Sequence, residues 1–218
     1  MSDTGSTTDR PELSAEGRAA GERARDAAHR PGTVLAGRYG HPIHPALAPI
    51  AIGAWVSAVA FDLASVFVEG RAYGRPAQWL VLIGIVAALV ASVPGFLDYR
   101  RLTKGSTAHK VATTHLIVMD LVLLCFIASF FIRRADQDQL LDGTPIPALV
   151  LSLIGLVGLG VGGWLGGELS YRYGVRVADE EDQIDGHRPR GALPSAPSHT
   201  ADESAEGSTS DTADGAST

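Results

Sequence analysis

Apolar residues in this chain gather in four blocks, at about 46–68, 77–97, 112–132 and 147–169. Each is long enough to cross a hydrocarbon core of about 30 Å as a helix, which takes about 20 residues. None shows the polar stripe of a surface helix of a soluble protein. Glycine and proline inside the blocks count little against helix, because spanning helices tolerate both. The connections between blocks are short, so neighbouring helices are expected to run antiparallel. The pattern predicts an all-α, membrane-embedded, antiparallel four-helix bundle at 41–177. It is flanked by a disordered N-terminal tail, 1–40, and a disordered acidic C-terminal tail, 178–218. Within the first tail, Leu13–His29 is expected to form no more than transient helix.

Composition sharpens this partition. The 218 residues are 45% hydrophobic with a net charge of −6. Residues 1–40 are neutral, 41–177 carry +2 and 178–218 carry −8. Apolar mass so concentrated excludes an ordinary soluble domain, and the single Cys125 excludes a disulfide scaffold. No apolar signal region precedes the first block, so the first span is expected to direct its own insertion.

The bases orient the spans. Eleven lie near one side, before span one, between spans two and three, and after span four; four lie near the other, including Arg133 and Arg134. The positive-inside rule places both termini and the 98–111 loop in the cytoplasm, which makes the chain a multi-pass protein of the cytoplasmic (inner) membrane.

Topology then brings polar residues together. His41 and His44 precede span one in HPIHP, Asp98 ends span two, His115 opens span three and Glu168 closes span four. All are expected near the cytoplasmic interface. Each of the first two histidines precedes a proline, which disfavours helix there and suggests an extended approach with Pro45 near the first helical turn. Imidazoles and carboxylates together suit zinc or iron. The metal set is His41, His44, His115, Asp98 and Glu168. Two histidines from different helices suit a non-covalent haem, with His41, His44 and His115 as the candidates. Histidines also shuttle protons, and interfacial capping is the plain alternative.

Asp62 and Asp120 lie inside spans one and three, where acids are expected to face the bundle interior. They differ in depth by about 12 Å at 1.5 Å per residue, so they do not form an obvious pair. Gly158, Gly162 and Gly166 recur at spacing four, a stripe that lets another backbone approach closely. Packing inside the bundle and homodimerisation are its two readings. The chain has no phosphate-binding loop, HExxH or GxSxG. Catalysis is not expected, nor is a nucleic-acid partner. A scaffold packing through the glycine-rich helix and a small transporter subunit stand as alternatives, although no inverted repeat is evident.

Several stretches have a familiar form. HPIHPALAPIAIGAWVSAVAFDLAS (41–65), PGFLDY (94–99), His115 and GGWLGGELSYRYGV (162–175) resemble a bacterial membrane-protein family, domain of unknown function 2231. The resemblance covers about 41–177. It implies four spans and no established activity. His41, His44, Asp62, Asp98, His115 and Glu168 fall at family motif positions. Some relatives are linked to Rieske iron–sulfur domains, which implies a redox setting. Rieske cysteines are absent here, so such a redox partner is a separate protein. Relatives often carry a third histidine early in span one and one at the position of Tyr173, which thins the histidine set here.

Overall fold

A computed structural model of the chain describes residues 14–39, 41–68, 72–135 and 142–178. Helix α1 runs Ala15–His29, followed by a 3-10 turn Val34–Ala36 and two short strands, β1 Gly37–Arg38 and β2 His41–Pro42. The strands pair antiparallel, Gly37 with Pro42 and Arg38 with His41. Four long helices follow: α2 Ile43–Phe67, α3 Gly74–Tyr99, α4 Thr107–Ala135 and α5 Ile146–Tyr171. All four are long and apolar enough to cross a membrane. The protein is a membrane four-helix bundle. Most of the acidic C-terminal tail and residues 1–13 lie outside the described residues.

The helices match the apolar blocks with shifted ends. Helix α4 differs most. It continues past Ile132 and takes Arg133, counted from the sequence among the bases flanking the spans, into the bundle. The HPIHP stretch is extended only at its first pair. His44 is already helical, and Pro45 falls in the first turn of α2, where its missing N–H leaves no bond unmade. Ser106 begins α4, its Oγ accepting from His109 N at 3.1 Å, as an N-cap does. Helix α1 has its own cap, with Ser14 Oγ accepting from Gly17 N, but buries none of its residues.

Side-chain contacts fix the helix directions. His44 and Trp55 of α2 reach Ala91 and Val81 of α3, so these two run antiparallel. His115 and Ser129 of α4 reach Gly162 and Ala148 of α5, so this pair does too. Packing is dense within each hairpin and thinner between them.

The two hairpins are repeats of one another. PAQWLVLIGIVAALVASVPG (76–95) and PALVLSLIGLVGLGVGGWLG (147–166) align at a constant offset of 71 residues, the separation of Asp62 and Arg133. Pro76/Pro147, Ala77/Ala148, Gly84/Gly155 and Gly95/Gly166 are among the identical pairs. The same offset relates His44 to His115 and Trp55 to Phe126. Both hairpins start from the same side, so the repeat is parallel, with its pseudo-twofold axis along the membrane normal. The glycines have matching jobs. A Cβ on Gly84 would overlap the Trp55 ring, and one on Gly155 would lie 2.7 Å from Phe126. Glycine at these positions lets the edge of a large ring come up against the backbone of the partner helix.

At the His44 end, the turn after α5 ties down the segment before α2. Arg176 adopts a left-handed backbone, φ 62°, rare for a residue with a Cβ. Its N–H donates to Ala28 O at 3.0 Å. Its guanidinium donates to Ala36 O at 2.9 Å and Arg38 O at 3.3 Å, and its Nε lies 3.2 Å from Asp98 Oδ1. Four segments thus converge on one buried arginine.

Candidate functional site

The parallel repeat places three pairs along the axis, each made of a residue and its counterpart from the other hairpin. Helices α2 and α4 run in the same direction and face each other across the bundle, so side chains at equivalent positions meet.

The first pair is His44 and His115. Their ring centres are 6.5 Å apart with the planes at 88°. His44 Nδ1 bonds Ala91 O at 2.8 Å and His115 Nδ1 bonds Gly162 O at 2.9 Å. A carbonyl only accepts, so each Nδ1 carries its proton and donates. In a neutral imidazole this makes Nε2 an acceptor with a free lone pair. Among the described residues nothing bonds to either Nε2. Gly95 and Gly166 seat the rings. A Cβ would lie 2.7 Å from His44 Nδ1 at the first and 3.3 Å from His115 Cε1 at the second.

The second pair is Trp55 and Phe126, stacked in parallel with centres 4.3 Å apart and both fully buried. Trp55 Nε1 donates to Val81 O at 3.3 Å. With Ala51, Ala58, Val81, Ile85, Val122 and Leu159 they form the hydrophobic core.

The third pair is Asp62 and Arg133, both with 0% exposed side chains. Arg133 Nη1 donates to Asp62 Oδ1 at 2.7 Å and Nη2 to Oδ2 at 2.5 Å, a bidentate pair. Nε donates to Ser129 Oγ and Nη2 to Ser152 Oγ. Thr144 Oγ1 donates to Asp62 Oδ1 at 2.7 Å. The ions are enclosed by hydroxyls from α4, from α5 and from Thr144, two residues before α5.

The remaining candidates take other positions. His41 is exposed in β2. Asp98 pairs with Arg176, and Glu168 pairs one turn away with Arg172 at 2.9 Å. Among the described residues no three His, Cys, Asp or Glu side chains stand close enough to share a metal. The five-residue metal set is therefore not gathered; His44 and His115 face each other, and Asp98 lies near enough to His44 for their charges to interact. Gly158, Gly162 and Gly166 pack inward, against Val122, Met119 and His115 of α4, the intrabundle reading of that stripe. Asp62 faces the interior as expected. Asp120 does not; it is exposed on the outside of α4.

Sequence reasoning missed Arg133, the Trp55–Phe126 stack and Arg176. The signal that finds the first two is the repeat, since offset 71 lands Asp62 on Arg133 and Trp55 on Phe126.

A family model described as a predicted membrane protein matches residues 40–179. No curated protein and no solved structure matches the chain.

Proposed function

The chain belongs to the family of predicted membrane proteins called domain of unknown function 2231, and within that family we propose that it is a one-haem electron-transfer protein, with His44 and His115 as axial ligands. The observation that carries this is the facing histidine pair. Two imidazoles bound through Nε2 to opposite sides of one metal, with bonds of about 2.0 Å, have ring centres about 6.3 Å apart. Those of His44 and His115 are 6.5 Å apart.

The donor chemistry fits as well. Ligating histidines usually donate their other N–H to a carbonyl or carboxylate, which fixes the tautomer and strengthens the ligand. Ala91 O and Gly162 O do this for the two rings. Two imidazoles leave a tetrahedral zinc short of protein ligands, whereas a porphyrin brings four nitrogens of its own and asks the protein for two. The thinner seam between the hairpins is where a flat macrocycle enters.

Bound haem supplies reversible one-electron exchange at its iron. The chain's own residues hold it, and the Trp55–Phe126 layer keeps water from its buried side. Arg38, Arg100, Arg101, Lys104, Lys110 and Arg172 are exposed around the His44 end, while Arg75 and Arg134 are the exposed bases described at the other. With Arg133 withdrawn into the core, this asymmetry favours a cytoplasm-facing site and an inner-membrane location. Electrons would then exchange with a partner at that face.

The test is an absorption spectrum and haem assay on protein purified from cells supplied with haem. A Soret band at one haem per chain, lost in both His44→Ala and His115→Ala and kept in His109→Ala, supports the proposal. Haem-free wild-type protein that is folded by circular dichroism overturns it and favours a scaffold.

A further inference from the structure

Asp120 lies midway along α4, about 20 Å from either end at 1.5 Å per residue. It sits five residues from His115, about 140° around a helix of 3.6 residues per turn, and is exposed. Its neighbours on that face are apolar: Ile117, Leu124 and Phe131 are 52%, 59% and 64% exposed. Among the described residues no side chain donates to it. A carboxyl held against lipid at mid-depth is among the costliest placements a spanning helix can make.

The spacing on this face identifies what covers it. Ile117, Asp120, Leu124 and Phe131 are exposed at positions of a three-four spacing, whose remaining position, Ile127, is half-buried against the bundle core at the edge of this face. That is the seam of a heptad repeat, the pattern by which one helix packs along another. It lies outside a helix whose inner face is already occupied by α5. One polar residue within such a seam sets register and partner number. We propose that α4 pairs with α4 of a second copy of this chain, in parallel, with Asp120 facing the partner's Asp120.

A second copy fits for a chemical reason. In a twofold interface each residue on the axis meets itself. Two carboxyls meeting this way satisfy each other, the O–H of one donating to an oxygen of the other. The described basic side chains of this chain lie near helix ends or are buried, so the outer surface offers Asp120 no cation at its depth. Lipid supplies no hydrophobic drive for helix association, so polar contacts carry much of it. The inference does not depend on haem, since the seam lies on the opposite side of α4 from His115.

The test is disulfide crosslinking in native membranes, in a Cys125→Ser background, alongside subunit counting in liposomes. Leu124→Cys, in the seam, should crosslink to a dimer, and Val157→Cys, on the lipid face of α5 at 72% exposure, should not. Asp120→Leu should weaken the dimer roughly tenfold despite being more apolar, and Asp120→Asn should retain it. Wild-type monomers, equal crosslinking at positions 124 and 157, or undiminished dimer in Asp120→Leu would each overturn the proposal.

Discussion

The two ends of the bundle axis solve the same problem in opposite ways. Each places one polar residue from α2 against its counterpart from α4. At one end the counterparts are complementary. Asp62 and Arg133 satisfy each other, and Ser129, Ser152 and Thr144 take what remains. At the other end the counterparts are identical, and two imidazoles cannot satisfy each other while both Nδ1 protons point at carbonyls. A buried pair with every polar atom matched holds a structure together. A half-buried pair that leaves two lone pairs unmatched can take something between them.

The largest test of this contrast is Arg133→Met. It leaves the Asp62 carboxylate buried and alone, and breaking such a pair costs about 3–5 kcal/mol. Thermal unfolding in detergent measures it. The double variant Asp62→Leu/Arg133→Met should recover most of the loss, because well-packed apolar replacement of a buried ion pair is often neutral. If the double variant is as unstable as the single, the closed end is not a self-contained clamp and the comparison breaks.

A smaller effect is expected at the open end. In haem-free protein, His44→Ala removes one hydrogen bond and should cost about 1 kcal/mol. A loss as large as that of Arg133→Met would mean that the histidines too serve mainly as structure. Least of all, Arg172→Ala should change stability by no more than about 1 kcal/mol, since its pair with Glu168 is solvent-exposed on the arginine side. A larger loss would place Glu168 among the residues that shape the site.

Length and hydropathy made the four spans legible, because bilayer thickness leaves few alternatives for blocks of this size. The same logic hid Arg133. A base that follows an apolar block reads as a flank, and only its partner on another helix shows otherwise. The interior place of Asp62 was legible from cost alone, but its partner was not. Cost also pointed Asp120 inward, and there it failed, since an acid can be accommodated by an interface outside the chain as well as by one within it. His44 and His115 stood out as residues, while their pairing waited on the repeat. That repeat was written mostly in α3 and α5, where Gly84 and Gly155 must both admit a ring. In α2 and α4 the paired side chains have diverged, leaving a histidine as the main trace.

Arg176 carries a consequence for the order of events during synthesis. Its guanidinium reaches Arg38, 138 residues earlier in the chain, so the earlier segment leaves the ribosome long before its partner exists. The ties from Arg176 to Ala36, Arg38 and Asp98 therefore form only after the last span has been made.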